Sequence, residues 1–226
     1  MNLTKYKKYI PNLLTFIGIV FLLFAFGPLI IDEVWFRLKE FRNQELRLED
    51  DTAQEDSVFA RFLTTRPISI KPVNKDFSIV IEKIGVNVPI VVDVPVTNEK
   101  AYLEALKWGV AHASVSKYPS KNPGNTYLFA HASLNFWRLG KYANVFNLLR
   151  KLEIGDRVHI FFERDIYVYE VVNSEVVKGW NVNPIDRAVI EPILTLQTCH
   201  PPGTTFNRLV VTAKLIEVNE AQQYIN

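Results

Sequence analysis

From Leu13 to Ile31 the chain reads LLTFIGIVFLLFAFGPLII, nineteen consecutive residues without a charge. Wound as a helix at about 1.5 Å per residue, such a run is roughly 30 Å long, the thickness of a bilayer's hydrocarbon core. The apolar heart of a cleaved secretory signal is shorter, about 7–15 residues. Here IIDEVWF comes next instead of a small-residue cleavage site. The run is therefore read as one uncleaved N-terminal transmembrane helix over 13–31, with residues 1–12 on one side of the membrane and everything else on the other. Trp35 and Phe36 suit the far interface. Lys5, Lys7 and Lys8 before the run nearly balance Arg37, Lys39 and Arg42 after it. The positive-inside rule counts chiefly these basic residues, so charge leaves the orientation open.

Beyond the apolar run the chain reads as a tether and then a domain. Residues 32–75 form a stalk and linker. Val34, Trp35, Leu38, Phe41, Leu46 and Leu48 recur among charges in a loosely helical pattern, the acidic EDDTAQED (49–56) has nothing to bury, and Pro67 and Pro72 bracket an extended piece. DSVF at 56–59 is read as part of that linker. Residues 76–218 are β-rich: FSIVIEKI, VNVPIVV, GVAHAS, NTYLFAHAS, RVHIFFE, IYVYEVVNSEVV, ILTLQTC and RLVVTAKLIEV are strand candidates enriched in branched and aromatic residues. EKAYLEALKWG and YANVFNLLRKL read as two short helices. Eight short strands with two short helices predict a mostly β domain, a closed or nearly closed eight-stranded barrel, with a tail at 219–226.

With 48% apolar and 22% charged residues, the chain can bury a core and is not wholly disordered. A net charge of +2 without a basic stripe argues against nucleic acid. A single cysteine forms no intrachain disulfide and builds no cysteine-rich zinc site, and no histidine cluster replaces it. The expectation is no metal and no cofactor.

That one cysteine, Cys199, lies in TLQTCHPPGTTFNRLVV, at the end of an apolar run. Thiolate is the reactive form, and a neighbouring imidazolium or guanidinium favours it. Histidines stand at 112, 131, 159 and 200. His200 adjoins the thiol, yet neighbours on a strand face opposite ways. His159 lies mid-strand and is expected on a solvated face. His112 and His131 both end strands where loops begin, and periodicity leaves the choice between them open. Arg208 opens the strand after Cys199; antiparallel pairing of the two would bring thiol and guanidinium to one end of a sheet, where the cation can stabilise a thiolate or an oxyanion.

TLQTC with Arg208 nine residues on, and GVAHASVSKYPSKNPGNTYLFAH upstream, resemble the active-site segments of the sortases, membrane-anchored cysteine transpeptidases of bacterial surfaces. The resemblance spans residues 76–218. It implies His131 as the catalytic histidine, with His112 outside the triad, Cys199 as nucleophile, Arg208 as the guanidinium that holds the substrate backbone and oxyanion, and Thr198 lining the same groove. It implies that 173–192 reads the substrate, an LPXTG-like C-terminal sorting signal on a surface protein. It also implies an amine acceptor, a cell-wall precursor or a pilin lysine, and an N-terminus in the cytoplasm with the catalytic domain outside. The sequence departs from the family in the HAS that contains the histidine, and it offers no carboxylates matching a calcium site. A protease that passes its thioester to water, and a tethered binding domain with a merely buried Cys199, are the rival readings.

Overall fold

The computed structural model describes residues 9–49, 67–132 and 140–220. The DSVF segment and most of the acidic linker lie outside the described residues. A long helix, α1 (Ile10–Phe41), precedes two short strands, β1 (Leu46–Leu48) and β2 (Ile68–Ile70). Then come β3 (Phe77–Ile81), β4 (Val86–Val94), helix α2 (Glu99–Ala105), β5 (Val110–Ala113), β6 (Gly124–Phe129), β7 (Arg157–Phe162), β8 (Asp165–Lys178), helix α3 (Asn183–Asp186), β9 (Pro192–His200) and β10 (Asn207–Asn219). The last eight strands close a barrel in the order β10-β8-β7-β3-β4-β5-β6-β9, with β9 returning to β10. All eight are the strands expected from the sequence. Two pairs are parallel, β4 with β5 and β6 with β9. A parallel pair needs a crossover, and α2 supplies the first, its start capped by the Asn98 carboxamide accepting from the Ala101 amide at 3.1 Å.

Alternation sorts each strand into two faces. Leu194, Leu196 and Thr198 of β9 meet Ala213, Val211 and Leu209 of β10 inside the barrel, where Ile79 and Leu128 are also buried. Thr195, Gln197 and Cys199 face outward opposite Thr212, Val210 and Arg208.

Three expectations change. YANVFNLLRKL forms a run of turns closing in a single 3-10 turn at Leu149–Lys151, not a second α-helix; the four-residue α3 stands elsewhere, between β8 and β9. Residues 173–178 extend β8 and pair with β10, so only 179–191 form the loop. His159 is buried, because both faces of β7 are covered at its middle: Val158, His159, Ile160 and Phe161 are all buried.

The membrane run also differs. Although α1 is long, no single helix among the described residues is long and apolar enough to cross a membrane. Ile10–Phe24 and Leu29–Phe41, set at 63° to each other, pass only as a bent pair. The break contains Gly27-Pro28, and a proline inside a helix removes an amide donor and crowds the carbonyl four residues back. The straight span over 13–31 is therefore not confirmed. Nor is the stalk free. Phe36 is buried in the core cluster of the barrel, and Trp35 lies over Gly85, whose φ of +67 and whose missing Cβ, which would sit 2.7 Å from the indole, both require glycine. Beyond α1, β1 pairs in parallel with β2, the extended piece expected between the two prolines.

Candidate active site

Cys199 is the penultimate residue of β9, and Arg208 is its direct partner on β10. Antiparallel partners point to the same side, so thiol and guanidinium share the outer wall, as the sequence led us to expect. The Arg208 Nη1 donates to the Thr205 carbonyl at 3.0 Å and the Asn207 carbonyl at 3.2 Å, which ties the guanidinium to the turn between the strands.

His131 lies on the chain leaving β6. That strand runs parallel to β9 in a register that pairs Phe129 with Gln197. The ladder ends there, and His131 follows two residues later, on the side of β9 opposite to β10. Backbone contacts hold the continuation: the Ala130 amide donates to the Gln197 carbonyl at 3.1 Å, and the Gly203 amide donates to the Ala132 carbonyl at 2.7 Å. The Phe146 amide donates to the carbonyl of His131 itself at 3.3 Å. Arg208 and Cys199 are thus paired across two strands, and His131 follows the end of the strand on the other side of β9.

Burial favours the neutral form of both Cys199 and His131. It pushes the Cys199 thiol up, against an opposite pull from Arg208, and pushes the His131 imidazole down. His131 Nε2 is buried without a hydrogen-bond partner among the described residues.

Thr198 does not line this groove. Alternation turns it inward, where it is 4% exposed and its hydroxyl donates to the Ala130 carbonyl at 2.8 Å. Its contact is with the backbone that carries His131. His200, paired with Asn207, faces opposite to Cys199. His112 is fully buried inside the barrel, stacked on Tyr118 at 4.6 Å, with Nε2 against the Lys117 carbonyl at 3.1 Å. Burial lowers its pKa, and a charge there would have no outlet to substrate.

Sequence reasoning missed four residues around the site. Tyr102 of α2 packs edge-on to Phe129 at 6.2 Å, and burial raises the pKa of its hydroxyl. The Tyr127 hydroxyl donates to the Gln197 carboxamide, and burial raises its pKa against an opposite pull from Arg208 and Arg187. Arg187 pins the 179–191 loop to the wall, donating from Nη2 to Thr195 Oγ1 at 2.8 Å and Thr212 Oγ1 at 2.9 Å. The one available signal was parity: on β9, residues 195 and 197 share the face of 199. Among the described residues no cluster of three or more His, Cys, Asp or Glu is placed to hold a metal ion.

The structure is a closed eight-stranded β-barrel that carries its free cysteine beside an arginine on the outer wall. The Sortase domain profile matches residues 79–216, more than half of the chain, and the chain belongs to that family. Its structure is similar to sortase C-1 of Actinomyces oris, at 27% identity and a TM-score of 0.53 over 64% of this chain and 76% of that one. A Clostridium perfringens sortase D5 transpeptidase matches at 26% and 0.50, over 66% and 82%. Sortase C of Clostridium perfringens, solved with the C-terminal cell wall sorting motif, shares the fold at 24% and 0.51, over 62% and 69%. No curated protein sequence matches the chain.

Proposed function

We propose that this sortase is a membrane-tethered enzyme that cleaves an LPXTG-like C-terminal sorting signal and transfers the freed carboxyl end to an amine at the cell surface. The observation that carries the reading is the pairing of Cys199 with Arg208 on the outer wall of a sortase barrel, with His131 just past the end of the neighbouring strand. A proton passes from the Cys199 thiol to His131, and the sulfur attacks the carbonyl carbon between Thr and Gly of the signal. Arg208 stabilises the oxyanion. The C–N bond breaks, the leaving amine takes the proton from His131, and a thioester remains on Cys199. An incoming amine then gives its proton to His131, attacks the thioester carbonyl and expels the thiolate. No cofactor enters these steps.

The occupant of the groove is argued from chemistry. Peptide backbone suits a guanidinium beside a nucleophile, and the sorting motif held by the Clostridium perfringens neighbour is such a peptide. Sorted proteins are displayed outside the cytoplasm, so the apolar run of α1 is proposed to anchor the enzyme with its N-terminus inside and its barrel outside. The acceptor is a cell-wall precursor or a pilin lysine.

Intact-mass spectrometry on the full chain in detergent, mixed with LPXTG-type peptides, tests the reading. The expected result is a thioacyl adduct that disappears in Cys199→Ala and passes to added oligoglycine or lysine amine. Discharge to water alone would make the protein a protease. No adduct across a broad peptide set, with a sluggish thiol, would return the barrel to a binding role.

A further inference from the structure

The last turns of α1 reach the active site through one intermediary. Asp32 accepts from the Asn144 carboxamide at 3.0 and 3.3 Å and from the Asn147 carboxamide at 3.0 Å. Glu33 accepts from Arg150 Nη2 and Lys151 Nζ, each at 2.7 Å, and from Arg37 Nε at 3.1 Å. These cations hold the Glu33 carboxyl at about 2, so it is charged throughout the physiological range. The segment from Asn144 to Lys151 is the one whose Phe146 amide binds the His131 carbonyl. Phe146 is fully buried and Asn147 is 2% exposed, so the segment moves as a packed unit and not as a loose loop.

The same helix grips the barrel elsewhere. Lys39 Nζ donates to the Lys83 carbonyl at 2.6 Å and the Glu82 carbonyl at 3.3 Å, and Trp35 lies on Gly85. One face of α1, carrying Asp32, Trp35 and Lys39 at helical spacing, therefore meets both the turn between β3 and β4 and the 144–151 segment. Ala130 and Ala132 are set by β9 and the turn after it; His131 between them is set by Phe146 alone among its described backbone contacts.

We propose that the membrane-proximal turns of α1 are a positioning element of the active site, in which Asp32 and Glu33 hold the 144–151 segment so that Phe146 fixes the His131 backbone and aims its ring at Cys199. Asp32 and Glu33 are positioning residues: they touch no substrate and act through the segment. The inference rests on the transpeptidase reading above. Its consequence is that the tether is part of the catalytic machinery, and a barrel cut free of α1 loses alignment of its base while keeping its nucleophile.

Charge reversal in the full chain tests this. Glu33→Arg meets Arg150 and Lys151 with like charge. The expected result is a roughly ten- to a hundredfold slower single-turnover thioacylation, the scale of a misaligned catalytic group. The peptide KM should change little, and the His131 Cε1–H resonance should move. Adding Arg150→Glu and Lys151→Glu to Glu33→Arg should restore both rate and resonance. An unchanged rate, a loss that merely tracks the fall in Tm, or a folded triple variant that stays slow would overturn the proposal. Asp32→Asn, which keeps one acceptor for two carboxamides, should give a smaller loss of the same kind; it decides the matter if Glu33→Arg does not fold. Absence of an adduct in the unaltered protein would instead sink the transpeptidase reading.

Discussion

Cys199 and Arg208 lie within eight consecutive paired residues of β9 and β10, whereas His131 lies two residues past the end of β6, its carbonyl held by the Phe146 amide and its neighbours Ala130 and Ala132 by one hydrogen bond each. The first half of the site is fixed by a ladder in which slipping one residue would turn every side chain to the wrong face. The second half is fixed by contacts that can be lost one at a time. Register gives precision without extra parts; a base on a loop needs supports, and each support is a point of control. Substitutions should therefore act as nearly all-or-none changes on the ladder side and in graded steps on the His131 side.

The largest effect is expected from removing the base itself. His131→Ala should slow thioacylation by about 10²–10⁴-fold, the usual contribution of a positioned general acid–base group. His200→Ala, one residue from the thiol but on the opposite face, should leave the rate near the unaltered value. If His200→Ala were the damaging change, His131 as the base would be the wrong description of the site.

Next comes Arg208. Arg208→Gln should cost about 10²–10³-fold in kcat, the scale seen when one oxyanion donor is removed. Arg208→Lys keeps the charge but loses the planar fork, and should recover only part of the rate. Stopped-flow single turnovers would measure both. Equal rates for the Gln and Lys variants would mean that the guanidinium acts by packing alone.

The same contrast explains what the sequence discloses. Period-two alternation, with β-branched and aromatic enrichment, predicts all eight barrel strands, and it predicts Cys199 facing Arg208 because that relation is local to one hairpin. The same parity turns Thr198 away from Cys199, and in the structure it overrides the groove position that the family resemblance implies. Choosing His131 over His112 is beyond periodicity, since both end strands; the choice comes from the family resemblance, and the structure adds that His112 is fully buried and stacked on Tyr118. Asp32 and Glu33 look like ordinary charges leaving a membrane, because their partners lie more than a hundred residues downstream. A pattern of polarity carries no trace of such pairing.

Thr198→Val should show a graded step on the His131 side. It preserves shape but leaves the buried Ala130 carbonyl without its donor, at a cost of about 1–3 kcal/mol. Thermal unfolding should fall by several degrees, and thioacylation should slow while iodoacetamide alkylation of Cys199 does not. Matching losses in both would place Thr198 on the ladder side and blur the distinction between the halves.

The smallest effects are those of pH, and they separate the two halves most cleanly. Burial lowers the pKa of His131 and raises that of Cys199, so at neutral pH both rest uncharged. The thioacylation profile should be a bell, with its acid limb below the ordinary imidazole value and its alkaline limb above the ordinary thiol value. Arg208 pulls the thiol's pKa down against burial; Arg208→Gln should therefore move the alkaline limb further up, with the acid limb staying in place. Stability responds with opposite signs. Unfolded His131 and His112 take up protons that the folded chain refuses, so stability is lost as pH falls through the ordinary imidazole range. Folded Cys199 keeps a proton that the unfolded chain releases, so stability is lost as pH rises past the ordinary thiol value. Tm should peak between the two. A thiol whose alkylation titrates below the ordinary value, or an acid limb that moves with Arg208→Gln, would mean that guanidinium and imidazole share one electrostatic field and that the two halves of the site are not held apart.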